Sequence, residues 1–212
     1  PYPDGYPFSG LQGTPHEGDW GTIPGLDEEN YDDARTVDYV VGELEKEQGK
    51  PFFLACGIFR PHLPWYAPTK YFDLYPLDEI ILPDVHEGDL DDVPGEGRQL
   101  AASRREDFKR IRKHGKWKEA VRAYLACISF ADAQLGRVLD ALEGSPFREN
   151  TIIVFWSDHG WHLGEKDHWH KSTLWEEATR IPFIMAAPGI TRGGTRCKRP
   201  VDTLCIYPTL LE

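Results

Sequence analysis

Apolar positions in this chain change their period several times, and each change marks an element. Val37, Val40, Val41 and Leu44 recur at helical spacing behind an acidic first turn and ahead of Gly49, which predicts an amphipathic helix over 27–48. PFFLACGIF, at 51–59, is apolar throughout, the pattern of a strand covered on both faces in a parallel sheet. RPHLPW follows at once, and its prolines end the strand because each removes a backbone donor and fixes φ. From 66 to 115 no element is legible, and the acidic, glycine-bearing HEGDLDDVPGEGRQ lies inside that span. A connection of this length is expected to be functional or mobile.

The clearest helix spans 116–143, where Val121, Tyr124, Leu125, Ile128, Leu135, Val138, Leu139 and Leu142 form one stripe closed by Gly144 and Pro146. TIIVFW at 151–156 and IPFIMAAPG at 181–189 read as two further buried strands. Asp202 is placed to cap a closing helix in VDTLCIYPTLLE. Residues 1–26, rich in Gly, Pro and aromatics, read as an irregular segment laid over a larger body. Helices alternating with short apolar strands predict an α/β sheet with crossover connections.

Composition narrows the function classes. Against 24 Lys+Arg stand 35 Asp+Glu, a net charge of -11 that opposes attraction to nucleic acid or anionic membrane. An anionic substrate would therefore need local positive charge. No apolar run approaches the ~20 residues of a membrane span, and PYPDGYPFSG has neither the positive start nor the apolar stretch of a signal peptide. Cys56, Cys127, Cys197 and Cys205 lack C-x-x-C spacing, so no zinc cluster or redox motif is indicated. Cys56 and Cys127 sit in apolar runs, while a Cys197–Cys205 disulfide is compatible with the sequence. With 212 residues, an irregular start and a closing helix cut short, the chain reads as a piece of a larger domain.

The chemistry concentrates in SDHGWHLGEKDHWHKST, residues 157–173, which carries four of the eight histidines directly behind a strand. In open α/β sheets ligands bind beyond the carboxyl ends of strands, so His62 and the pair Asp158–His159 are expected to converge there. Asp158 suits a hard divalent cation as an oxygen ligand, or alternatively caps the turn that Asp-x-Gly invites. His159 is a metal ligand or a hydrogen-bond partner. Lys171, behind HWH, is either an ammonium aimed at an anion or solvated surface. His62, held between two prolines, is either a proton donor and acceptor near neutrality or a structural hydrogen-bond partner.

His162, His168 and His170 have no H-E-x-x-H context, and substrate-facing or ligand-supporting roles are expected of them instead of a zinc site. Trp161 and Trp169 are packing residues or platforms for a sugar ring. DLDD at 89–92 fails as an EF-hand, since Val93 and Pro94 follow and the twelfth position is Leu100, so a solvated acidic loop is expected.

Two long stretches go further. IIVFWSDHGWHLGEKDHWHKSTLWEEATRIPFIMAAPG resembles the C-terminal signature of the type I sulfatases of the alkaline-phosphatase-like superfamily, and PFFLACGIFRPHLPWYAPTKYFDLYP resembles the segment with their active-site histidine. The similarity runs from Asp19 to the closing YPTLLE and is greatest to the iduronate-2-sulfatase and choline-sulfatase-like branch. It implies an α/β/α sandwich with a mostly parallel mixed sheet flanked by helices, of which residues 1–212 are part of one catalytic domain, truncated at both ends.

By that resemblance Asp158 and His159 match two calcium ligands, and Lys171 matches the lysine that holds the sulfate and stabilises the leaving oxygen. His62 matches the histidine that binds the sulfate and assists proton transfer, and Trp161 falls at a substrate contact. The formylglycine motif, C-x-P-S-R-like, is missing, and the one early Asp-Asp, Asp32–Asp33, lies in a predicted helix instead of after a strand. The resemblance thus implies the part of a sulfuric ester hydrolase that lacks the nucleophile, acting on a sulfated carbohydrate and exported or lysosomal. Phosphodiester or phosphonate monoester hydrolysis on the same fold, and a non-catalytic binding protein, are the alternatives.

Overall fold

The computed structural model describes residues 4–11 and 18–212. In chain order these form strand β1 (Trp20–Gly21), helix α1 (Asp32–Leu44), β2 (Trp65–Tyr66), α2 (Thr69–Phe72), α3 (Gly95–Ala102), α4 (Arg105–Lys113), α5 (Trp117–Glu143), β3 (Ile153–Trp156), β4 (His162–Leu163), β5 (Trp169–His170), α6 (Glu176–Thr179), β6 (Phe183–Ala186) and α7 (Ile206–Leu211), with short 3-10 turns between. The architecture is α/β, and its core is gathered on α5.

The buried face of α5 is not the stripe of large side chains. It consists of Ala120, Ala123, Ala126, Cys127, Phe130 and Gln134, with Val121 and Leu142 beside them, whereas Ile128 and Leu139 are exposed. Small residues let neighbouring backbones approach closely, and that outweighs the larger transfer energy of leucine or isoleucine where two helices meet. Helix α1 packs along α5 with Ala34, Val37, Val40 and Leu44 buried, Val40 and Leu44 meeting Leu142 and the partly buried Val138. Phe130 fills the gap, edge-on to Tyr31 at 5.3 Å and tilted against Tyr71 at 5.4 Å.

The strands depart further from expectation. β3 and β6 form where predicted, but they pair antiparallel, with Ile153 opposite Ala186 and Trp156 opposite Phe183. Both are half-exposed, not buried. The strand expected at 51–59 is not formed: the segment has no regular secondary structure and no ladder partner among the described residues, and Phe53 is 83 % exposed. A continuous apolar run makes a central strand only when other strands supply hydrogen bonds on both edges, and among the described residues none pairs with it. Among the described residues parallel pairing is confined to β1 and β2, where Trp20 lies opposite Trp65 and Gly21 opposite Tyr66.

The 66–115 span, expected as loop, contains α2, α3 and α4. In α4 (REDFKRIRK) only Phe108 and Ile111 are apolar, and both are buried; three residues apart, they share one face of an otherwise charged helix. Glu106 and Asp107 in its first turn and Arg110, Arg112 and Lys113 in its last complement the helix dipole. At the far end of the chain the Asp202 side chain accepts from the Leu204 amide at 2.9 Å, the cap expected of it. All four cysteines are free, so no Cys197–Cys205 disulfide is formed.

Candidate active site

The position of His62 is set from α1. Asp33, buried in that helix, accepts hydrogen bonds from the amides of Phe59 at 2.6 Å and Arg60 at 3.4 Å, and its carboxylate lies 3.6 Å from the Arg60 guanidinium. Arg60 in turn donates to the Tyr66 carbonyl at 3.1 Å, and the Trp65 indole donates to the Pro61 carbonyl at 2.8 Å. The RPHLPW segment is therefore clamped at both ends. Within it, His62 Nδ1–H donates to the Leu63 carbonyl at 2.7 Å, which leaves the Nε2 lone pair free to accept. Burial, opposed by that carbonyl and reinforced by the Lys171 charge, lowers the pKa of His62 below the usual imidazole value and favours the neutral ring.

Lys171 Nζ donates to that lone pair at 3.1 Å and to His159 Nε2 at 2.7 Å. His159 is oriented the same way as His62, with Nδ1–H donated to the Gly160 carbonyl at 2.8 Å. An ammonium thus sits between two imidazole lone pairs, brought together from positions 109 and 12 residues apart. Asp158 lies beside them, its carboxylate 3.4 Å from His159 Nε2 and its side chain 82 % exposed. The base of the loop is fixed by Gly160, whose amide donates to the Ala178 carbonyl at 2.7 Å. A Cβ on Gly160 would lie 2.1 Å from the Glu177 carbonyl oxygen, so only glycine fits that approach. Trp161 packs against His62 at 5.6 Å, His170 at 5.1 Å and Trp65 at 5.9 Å.

The loop that presents Lys171 is strained. Lys166, Asp167, His170 and Ser172 all have positive φ, between 53° and 79°, a conformation that costs a non-glycine residue roughly 1–3 kcal/mol. Most of what restrains the loop comes from residues 89–117. Lys166 pairs with Asp89 at 2.6 Å, Asp167 with Arg105 at 3.1 Å, and His170 donates to Asp107 at 3.2 Å. The ring nitrogens of His168 lie 2.9 Å from the Ala101 carbonyl and 2.8 Å from the carbonyl of Lys171 itself. Trp117 donates to the Leu163 carbonyl at 2.7 Å, and Phe108 stacks on Trp169 at 5.9 Å.

The histidines therefore divide. His162 and His168 are fully buried and structural, His162 accepting from the Thr173 hydroxyl at 2.7 Å, so neither faces a substrate. His170 does line an open cavity of about 270 Å³, together with His62, Lys171, Trp161, Arg104 and Arg110. Asp89, expected in a solvated loop, is instead tied to the Lys171 loop. Trp161 and Trp169 are both buried packing residues, and Trp161 also forms part of the cavity wall.

The sulfatase family model matches residues 3–212. This chain belongs to the sulfatase family. It is 46% identical over 195 residues to a sulfatase of Formosa agariphila, covering 92% of this chain and 38% of that protein. To the iduronate 2-sulfatase of Mus musculus it is 35% identical over 182 residues, covering 81% of this chain and 32% of the relative. Among solved structures it resembles a phosphonate monoester hydrolase of Silicibacter pomeroyi with a TM-score of 0.68 and 26% identity, covering 89% of this chain and 37% of the other. The chain thus spans about a third of the length of the curated relatives it matches, and the fold it shares with its structural neighbours is the alkaline-phosphatase-like one.

Sulfatases are generally metal-dependent. Among the described residues no three metal-capable side chains come together. Asp158 and His159 nonetheless fit as part of such a site: the carboxylate is open, and the Nδ1–H bond of His159 fixes the tautomer whose Nε2 can bind a cation. An ion there would displace the Lys171 hydrogen bond from His159. Several supporting residues in this sulfatase chain escaped sequence reasoning. Asp33 carried the only available signal, an acidic residue on the apolar face of a helix; Asp107 and Arg105 carried none that distinguishes them from solvated charge.

Proposed function

We propose that this chain is part of a single sulfatase catalytic domain, and that the protein it contributes to hydrolyses sulfate esters of a carbohydrate. The observation that carries this reading is the meeting of Lys171 Nζ with His62 Nε2 at 3.1 Å, beside Asp158 and His159. When a sulfate ester breaks, negative charge moves onto the leaving oxygen. An ammonium aimed at that oxygen stabilises the charge most where water is excluded. Lys171 supplies this charge beside a cavity wall that includes the buried side chains of Trp161 and Leu63.

His62 is neutral without substrate, because burial and the nearby ammonium both disfavour a second positive charge. An arriving sulfate reverses that balance, so Nε2 takes up a proton from solvent and delivers it to the departing alkoxide oxygen, which leaves as the alcohol while the ring returns to neutral. Asp158 and His159 would hold calcium, which supplies neutralisation of the sulfate oxygens. None of the four cysteines lies in a C-x-P-S-R-like sequence, so the nucleophile comes from residues other than these. Export or a lysosome-like compartment follows by family habit alone; no helix among the described residues is long and apolar enough to cross a membrane.

The test is hydrolysis of 4-methylumbelliferyl sulfate by the full-length protein. Lys171→Ala is expected to lower kcat by about 10²–10³, the usual cost of one transition-state donor. Unchanged kcat in that variant sinks the proposal. The isolated 212-residue chain is expected to show no turnover. Phosphonate monoester hydrolysis is a second reading, supported by the likeness to the Silicibacter enzyme. A phenyl phosphonate ester turned over faster than the sulfate would favour it.

A further inference from the structure

Three histidines around Lys171 share one hydrogen-bonding pattern, and His168 breaks it. In His62, His159 and His162, Nδ1 faces a backbone carbonyl, that of Leu63, Gly160 and Glu165 respectively. Their Nε2 atoms face groups that can donate, Lys171 Nζ for the first two and the Thr173 hydroxyl for the third. A neutral ring with its proton on Nδ1 satisfies both contacts. His168 instead has a carbonyl at each nitrogen: Ala101 lies 2.9 Å from Nδ1, and Lys171 lies 2.8 Å from Nε2. Neither oxygen can donate, so a neutral ring would turn a lone pair onto one of them. Only the imidazolium, with an N–H on each nitrogen, satisfies both. Turning the ring over would set C–H groups on the same oxygens, a weaker contact.

The surroundings allow one charge at this place. His168 is fully buried, where a charged group persists only if its hydrogen bonds are made, and imidazole is the side chain that takes a second proton near neutrality. His162 packs edge-on against it at 4.9 Å. Burial, and behind it the nearness of His168, lowers the pKa of His162, so a single charge in this pair belongs on His168. The charged groups on the neighbouring elements are engaged with one another. Asp167 pairs with Arg105 of α4, Asp107 of the same helix with His170, and Lys166 with Asp89. The Glu165 carboxylate accepts from the Leu163 amide, and Glu177 of α6 acts on His162.

We propose that His168 is a positioning residue for Lys171: as an imidazolium it clamps the Lys171 carbonyl to the Ala101 carbonyl of α3, and so fixes where the ammonium points. The proposal rests on the sulfate ester reading only for what Lys171 meets. The backbone explains why such a clamp is needed. His170 and Ser172, on either side of Lys171, have φ of 79° and 73°, and residues held in that region stay there only when their surroundings over-determine them. With the Nε2 bond removed, either neighbour can relax, the Lys171 peptide turns, and Nζ leaves the two imidazoles. The bond at Nδ1 acts differently, since it ties the ring to α3 without touching Lys171.

The test has one arm without turnover. In the full-length protein labelled with ¹⁵N-histidine, the His168 ring is assigned through its contacts with Ala101. Both of its nitrogens are expected in the protonated range at about pH 6, whereas His162 shows one bare nitrogen. A bare nitrogen on His168 at that pH overturns the proposal. The second arm separates the two bonds. His168→Gln sets an N–H near the place of Nε2 and keeps the grip on Lys171, while His168→Asn sets one near Nδ1 and keeps only the tie to α3. With 4-methylumbelliferyl sulfate, His168→Asn is expected to lower kcat by about 10² at similar KM, and His168→Gln to retain most of it. Equal loss in the two variants makes His168 a core support only and overturns the positioning role, as does equal retention. Absence of all sulfate ester turnover removes the sulfatase reading, and the nitrogen shifts then decide the clamp by themselves.

Discussion

The β3–β6 pair and the loop it feeds sit a few residues apart, yet they are secured in opposite ways. The pair is apolar and loosely covered: Trp156 and Ile184 are exposed, and no third strand joins them among the described residues. The loop at 157–173 is polar, strained and densely tied, with buried histidines and ion pairs reaching residues 89–117. Position in the site is thus maintained less by the sheet than by a charged excursion packed from the side. Strained backbone persists only where its surroundings over-determine it, and here the surroundings are α3 and α4.

Removing the apolar anchor of the excursion should break this contrast most. Phe108→Ala, in a buried ring stacked on Trp169, is expected to cost about 3–5 kcal/mol in urea unfolding of the full-length protein and to raise hydrogen exchange across 162–173. Exchange that rises in β3 instead of the loop would contradict the brace. Gly160→Ala comes next: a Cβ 2.1 Å from the Glu177 carbonyl must push the loop base aside, with an expected loss of about 10²-fold in kcat/KM.

Acid should act more mildly. His170 holds the Asp107 carboxyl below the usual carboxylate range, so their pairing contributes fully above the unfolded value and is lost as pH falls through the depressed folded one. Loop protection should therefore survive mild acid and vanish below about pH 4, and Asp107→Asn should remove that dependence. Least affected will be the open strand face, where Ile184→Thr should change stability by no more than about 0.5 kcal/mol and chiefly improve solubility.

How much of this was legible depended on range. His62, Asp158, His159 and Lys171 stood out because prolines, a strand end and clustered titratable groups are local patterns. The α5 boundaries were equally local, set by Gly144 at one end. Its buried face was not, because which side of a helix packs depends on its partners: Val40 and Leu44 of α1 meet Leu142, while Ala120, Ala123 and Ala126 join the core that holds Trp65 and Trp161. The excursion stayed dark for a related reason: glycines and prolines suggested loop, while two apolar residues on α4 are too few to signal a helix without knowing that Trp117 and Trp169 await Phe108.

By itself, then, the sequence determined the alternation of helix and strand, the family, and a small set of candidate side chains for an anion site, since all of these are written in short-range spacing and residue type. Only the tertiary structure decided that 51–59 lacks a ladder, that His162 and His168 are buried supports while His170 faces the cavity, and that Asp33 and the 89–117 segment aim the site. Those outcomes turn on which distant groups find each other as partners, and hydrogen bonds between residues 26 to 109 positions apart leave no periodic trace along the chain.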